Sequence, residues 1–348
     1  MRMIIIVMVM KFILNIKGVG GISMKFRSIL VVFASFFLLT ACSNEQAVDK
    51  ENSEDIGKET VEQEQQEQEL TDGVDEEALA EISKKFPQQD AERVITTSVP
   101  LAEMLHILGI TPVGVPTSNN PLPADFEEID QIGSPMAPDL EKITSLQSDL
   151  LLSSKALEST LEKSVEGMDL NRVYLPTDSI QDLKLSFKAI GRYFHKEDKM
   201  NEVLNKITEK EVELEKQAEG KELPSVMLMI GTSDSFMVMS ENSYLGSLVD
   251  RLGAENIATT QLKVTETYSP INMENIIAAD PDIIFVLSSL DHGASHDMFD
   301  KEVEKNDAWK KLSAYENGKI HMLDYQIFGV TSINHVEQAL TELADYFN

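Results

Sequence analysis

Few side chains in this 348-residue sequence could hold a metal or attack a bond. His292 and His296 stand four positions apart, with Asp291 and Asp297 beside them. On a helix that spacing puts both imidazoles on one face, where carboxylates can complete a zinc or manganese site. A solvent-facing loop histidine would look the same. His106, His195, His321 and His335 fall inside helical or strand patterns and read as structural. Met136 is bracketed by Pro135 and Pro138, so it belongs neither to a helix interior nor to a central strand. It therefore stands outside the periodic core stripes where methionine usually fills gaps. Cys42 is the only cysteine, which excludes an intrachain disulfide. The sequence has no Gly-x-Ser-x-Gly elbow, phosphate loop, dinucleotide fingerprint or paired catalytic carboxylates, and no enzyme is expected.

The elements that must position these residues begin well inside the chain. Met24-Lys25-Phe26-Arg27 opens a basic segment, 29–39 is apolar, and Leu39-Thr40-Ala41-Cys42 follows. That order describes a secretory signal over 24–42, and the apolar run is too short to span a bilayer. Residues 1–23 read as a misplaced start, because codons for Lys17-Gly18 can carry a ribosome-binding site just ahead of Met24. From 43 to 88 the chain is mostly Glu, Gln, Asp, Asn, Ser and Lys, so a disordered acidic tether is expected. As a coil of about 43 residues it would reach roughly 35 Å. The formal net charge of −29 excludes nucleic acid as a partner and opposes adsorption of the body onto anionic lipid.

The length suggests two lobes, and an internal repeat supports them. Leu140-Glu141-Lys142-Ile143 leads to Asp149 and an apolar run ending in Ser153-Ser154. At the same spacing, Met273-Glu274-Asn275-Ile276 leads to Asp282 and a run ending in Ser288-Ser289. Each unit reads as helix, turn and buried strand. Strands alternating with helices predict an α/β fold with mostly parallel sheets. The expected plan is two Rossmann-like lobes, 89–195 and 221–348, joined by one long helix over 196–220. In such sheets ligands bind beyond the carboxyl ends of the strands, where 97–99 and His292 fall.

The lipobox-like Leu39-Thr40-Ala41-Cys42, the two lobes and the single spanning helix resemble the substrate-binding proteins of ATP-driven importers for iron-siderophores, cobalamin and haem. The resemblance covers about 93–348. It is strongest to the haem-receptor lipoproteins of the iron-regulated surface determinant system. The matching segments are Pro116-Thr117-Ser118, Ile132-Gly133-Ser134-Pro135-Met136-Ala137-Pro138, Gly253-Ala254-Glu255-Asn256, His292-Gly293 and Phe328-Gly329-Val330-Thr331.

This resemblance implies a class III binding-protein fold and one haem b per chain, with iron held by Met136 and His292 from opposite lobes. A thioether with an imidazole is an axial pair that favours ferrous iron relative to two nitrogen ligands. Thr97, Ser98, Val99, Ser118 and Asn119 resemble the positions that hold propionates, and helix N-termini suit anions. Ser98 could equally be a helix N-cap. Glu141 and Glu255 resemble the glutamates that dock on an ABC permease, although the repeat pairs Glu141 with Glu274. Cys42 would be diacylated, including palmitate, and would anchor a monomer to the extracellular face of the cell membrane. Upstream surface proteins could donate haem. A ferric siderophore or cobalamin carrier is the alternative, and Arg93, Arg172, Arg192 and Arg251 fall at strand starts or on helices, which weakens the siderophore reading. A zinc or manganese carrier is weaker still.

Overall fold

The computed structural model describes residues 71–231, 235–270, 272–288 and 294–347. The extension 1–23, the leader with Cys42, the tether up to residue 70 and His292 lie outside them. The first lobe runs α1 (Glu76–Ser83), β1 (Val94–Thr96), α2 (Val99–Leu108), β2 (Gly133–Ser134), β3 (Ala137–Pro138), α3 (Leu140–Ser145), β4 (Leu150–Ser154), α4 (Glu158–Ser164), β5 (Asn171–Leu175) and α5 (Ile180–Tyr193). The connector is α6 (Glu197–Ala218). The second lobe runs β6 (Ser225–Gly231), β7 (Phe236–Met239), α7 (Tyr244–Arg251), β8 (Glu255–Asn256), α8 (Ile257–Thr260), β9 (Tyr268–Pro270), α9 (Met273–Ala279), β10 (Ile283–Ser288), α10 (Ala294–Lys305), α11 (Ser313–Glu316), β11 (Ile320–Leu323), α12 (Tyr325–Phe328) and α13 (Val336–Asp345).

In the first lobe β1, β4 and β5 are parallel, in that order. Gly114 bridges the free side of β1, and Val115 bridges Gln131. These strands are continuous apolar runs because helices cover both faces. The second lobe holds a mixed sheet ordered β11-β10-β6-β7-β9, with β8 beside β6. β10, β6 and β11 are parallel, as expected, whereas the added β7 runs antiparallel to β6 and pairs antiparallel with β9. The repeat has a structural counterpart. Asp149 accepts the N–H groups of Glu92 and Arg93 ahead of β1, at 2.8 and 3.0 Å. Asp282 accepts the N–H and hydroxyl of Ser225 at the start of β6, at 2.9 and 2.8 Å. Each Asp locks the start of a neighbouring strand.

The tether boundary expected at 88 is corrected. Residues 76–83 form α1, capped by Asp75, which accepts from the N–H groups of Glu77 and Ala78. Leu79, Ile82 and Phe86 are buried in the main core, and Phe86 stacks on Tyr193 at 4.5 Å. Lys188 pairs with Asp72 and Glu76 at 2.5 and 2.8 Å. Average composition misled here because three well-spaced apolar residues suffice to hold a helix whose other face is charged.

The connector α6 is 22 residues long, about 33 Å at ~1.5 Å per residue. Glu211 on α6 takes Lys184 of α5 at 2.8 Å in a nearly fully buried pair. Arg251 of α7 reaches the same carboxylate at 3.3 Å and Glu215 at 3.8 Å. The Ile180 N–H donates to the Ser247 hydroxyl at 3.0 Å, another link between the lobes. One apolar core runs from Leu101 and Leu152 through Leu204 and Ile207 to Leu228 and Leu340. The lobes are thus fused at the connector side.

Candidate functional site

The site is built where the strands end. In the first lobe a short hydroxyl ladder ties those ends together. Thr97 Oγ1 donates to Ser153 Oγ at 2.7 Å, and Ser154 Oγ meets Thr177 Oγ1 at 3.2 Å. The serine pair of the repeat therefore has a structural use in this lobe. Thr97, Ser98 and Val99 are buried. Ser98 stands at the N-cap position of α2, yet its side chain makes no capping bond, and Pro100 brings no N–H. The cap alternative for Ser98 is not realised, so the Val99 N–H at the helix start lacks a capping side chain. Ser118 and Asn119 are exposed in the loop after Val115, where Ser118 Oγ accepts the Asn120 N–H at 3.0 Å.

Met136 sits at the tip of the two-residue hairpin β2–β3 and is 63% exposed. Gly133 enters that hairpin at φ +90°, and a Cβ there would lie 2.9 Å from Asp139 N and 3.1 Å from Ala137 O. Only glycine takes that conformation at so close an approach. The Thr117 N–H donates to Gly133 O at 2.8 Å, and the Asp139 N–H to Ile132 O at 2.7 Å. The structure thus brings the Met136 hairpin and the 118–119 loop together. Asp139 then caps α3 by accepting the Lys142 N–H at 3.0 Å. His292 follows β10 in sequence and lies outside the described residues.

Glu141 is exposed in the first turn of α3. Glu255 is exposed on β8, where its carboxylate accepts Thr260 Oγ1 at 2.6 Å and Gln261 Nε2 at 3.1 Å. These bonds hold it below the usual glutamate range. The adjacent Asn256 is buried and caps α8, so its half of the Glu-Asn motif is structural.

Several residues near the strand ends escaped the sequence reading. Asp178 follows β5, and its carboxyl is raised by burial and then by Asp182. Tyr268 of the second lobe is raised by burial, by the charge of Asp178 and by Tyr325. Burial also raises Tyr325, which follows β11. The strand-end rule could have found Asp178 and Tyr325. Tyr268 lies on β9, an added strand with no signal in the repeat. Where the lobes meet, burial pushes Glu103 on α2 up to about 7. Glu103 Oε2, Ser332 Oγ and the Tyr244 hydroxyl are buried without hydrogen-bond partners.

Two α/β lobes fused along one long helix are the architecture of class III periplasmic binding proteins. The sequence matches the periplasmic binding protein family over residues 94–326, and the chain belongs to that family. It is 31% identical over 262 residues to the high-affinity heme uptake system protein IsdE of Staphylococcus aureus, covering 73% of this chain and 87% of that one. The crystal structure of S. aureus IsdE complexed with heme superposes with a TM-score of 0.66 at 28% identity, covering 73% of this chain and 98% of that chain. An ABC transporter substrate-binding protein from Listeria monocytogenes EGD-e superposes at 0.67 with 31% identity, at the same coverages. S. aureus SirA complexed with staphyloferrin B shares the fold at 20% identity and a TM-score of 0.63, over 75% of this chain and 94% of that one. The chain is therefore a substrate-binding protein of the haem and siderophore ABC importer family, whose homologues are transport proteins and not enzymes.

Proposed function

We propose that this protein binds one haem b in the interlobe cleft and delivers it to an ABC permease for iron acquisition. Met136 and His292 hold the iron from opposite lobes. Val99, Ser98, Ser118 and Asn119 face the propionates, while Thr97, whose hydroxyl is taken by Ser153, supports the wall. Glu141 and Glu255 meet the permease, and an acylated Cys42 keeps the monomer on the outer face of the membrane. The observation that carries the reading is Met136. A flexible apolar side chain is held out at 63% exposure on a hairpin pinned from both sides, where packing would ordinarily bury it. The relatives named above include a haem-binding protein, and the Met136 hairpin is the part of this chain suited to iron.

Titration of the purified protein with haemin tests the proposal. A one-to-one complex with a low-spin, six-coordinate spectrum is expected. Tight binding of a ferric siderophore without binding of haemin would replace it with the siderophore reading.

A further inference from the structure

Glu211 lies in the second half of the connector α6, and its two carboxylate oxygens serve different lobes. Oε2 takes Lys184 Nζ of α5, in the first lobe, at 2.8 Å. Oε1 meets Arg251 Nε of α7, in the second lobe, at 3.3 Å. The Lys184 and Glu211 side chains are 5% and 3% exposed, so salt screens their pairing little. Arg251 is more open and also reaches the exposed Glu215 at 3.8 Å. Beside this network the Ile180 N–H of α5 donates to Ser247 Oγ of α7 at 3.0 Å.

The apolar core shared by the lobes makes them adhere, but apolar attraction is non-directional and does not by itself set how they are turned. A buried ion pair has the opposite character. Desolvation offsets most of its attraction, so it adds little net stability, whereas its geometry can fix a register. Here one carboxylate on the strut fixes the register of both lobes at once.

We propose that Glu211 is a positioning residue that sets the angle between the lobes, and with it the spacing of the two iron ligands, Met136 on the first lobe and His292 on the second. The second half of this statement rests on the haem reading. Met136 follows the first lobe as a body, because its hairpin is pinned there through Thr117 and Asp139. Metal–ligand distances vary by only about 0.2 Å between good sites. A turn of the lobes that carries either ligand out of reach therefore costs that bond.

The test uses the mature chain from residue 42 with Cys42→Ser, so that two introduced cysteines are the only labelled ones. Lys163→Cys on α4 and Glu316→Cys on α11, both exposed and on opposite lobes, carry spin labels. Their distance distribution is measured without ligand. The absorption spectrum of the haemin complex and the rate of haemin loss to a scavenger are measured in the unlabelled proteins. Glu211→Gln alone would leave Lys184 buried and unpaired, mixing orientation with stability. Two other variants avoid this. Arg251→Gln cuts the link to the second lobe and leaves Lys184 paired with Glu211. Lys184→Met with Glu211→Gln removes the buried pair altogether. Both should broaden or shift the interlobe distance, lower the six-coordinate fraction and speed haemin loss at least about tenfold, as a misplaced ligand would. Glu202→Gln is the control, since its pair with Lys206 lies within α6 and crosses no lobe boundary. Distances unchanged from the wild type in both variants overturn the lock, whatever haemin does. Altered distances with unchanged spectra and haemin loss overturn its link to the iron ligands. Absence of haemin binding by the wild type overturns the haem reading instead, on which the ligand-free distances do not depend.

Discussion

Met136 and His292 are proposed to share one task but should respond differently to loss. Imidazole is the stronger donor to ferric iron, whereas thioether is soft and favours ferrous iron. His292→Ala should damage ferric binding most and leave a five-coordinate or water-ligated spectrum. Met136→Ala should weaken binding less, because apolar burial and His292 remain, and it should lower the reduction potential. Proton competition for the imidazole should weaken binding as pH falls. His296→Ala is the control, since its i, i+4 spacing makes it the natural substitute. Spectra of the three variants with ferric and ferrous haem check these outcomes. Loss of the six-coordinate signal in His296→Ala, with its retention in His292→Ala, would assign the ligand to the wrong histidine. Pro135 and Pro138 made Met136 stand out in the sequence. Tyr268 stayed hidden because nothing local distinguishes an aromatic residue on an added edge strand from one in a core.

Among the elements, α2 carries the clearest pH-dependent group. Glu103 ionises near an ordinary value of 4.5 when unfolded but at about 7 in the fold. Below the lower value both states hold the proton, so Glu103 adds no pH dependence. Between the two values the unfolded chain releases the proton first, so the fold loses stability as pH rises, and the loss levels off above about 7. Glu103→Gln keeps the shape and removes the ionisation. It should match the wild type near pH 4.5 and exceed it by about 1–3 kcal/mol at pH 8. Urea unfolding of both proteins across that range measures the difference, and parallel curves would show that Glu103 ionises normally in the fold. Helix periodicity placed Glu103 on α2 but could not reveal that Tyr244 and Ser332 from the other lobe would enclose it.

At the scale of the whole molecule the folded body already includes α1 and does not start at 88. Deleting 43–68 should leave the melting temperature and haem affinity unchanged. Leu79→Ala should cost about 2–4 kcal/mol in urea unfolding, the usual effect of emptying a fully buried leucine site. A silent Leu79→Ala would return α1 to the tether. The two proposed docking glutamates lie on different lobes, so the complex with a permease should sense both. Glu141→Ala with Glu255→Ala should reduce haem uptake by cells while haem affinity stays as in the wild type. Parallel measurement of uptake and affinity separates docking from binding, and normal uptake removes the docking assignment.

The α/β class, the duplicated helix–strand plan and the long connector are legible in the residues alone, because they follow from local periodicity and from spacing along the chain. Met136 is legible too, because prolines on both sides are a local restriction. Folding in three dimensions selects which apolar residues of an acidic stretch join the core, as Leu79, Ile82 and Phe86 do. It alone added β7 and β9 to the second sheet, and fused the lobes through Lys184, Glu211 and Arg251. These are contacts between residues far apart in the chain. Their free energy comes from burial and charge at distances that no local pattern encodes.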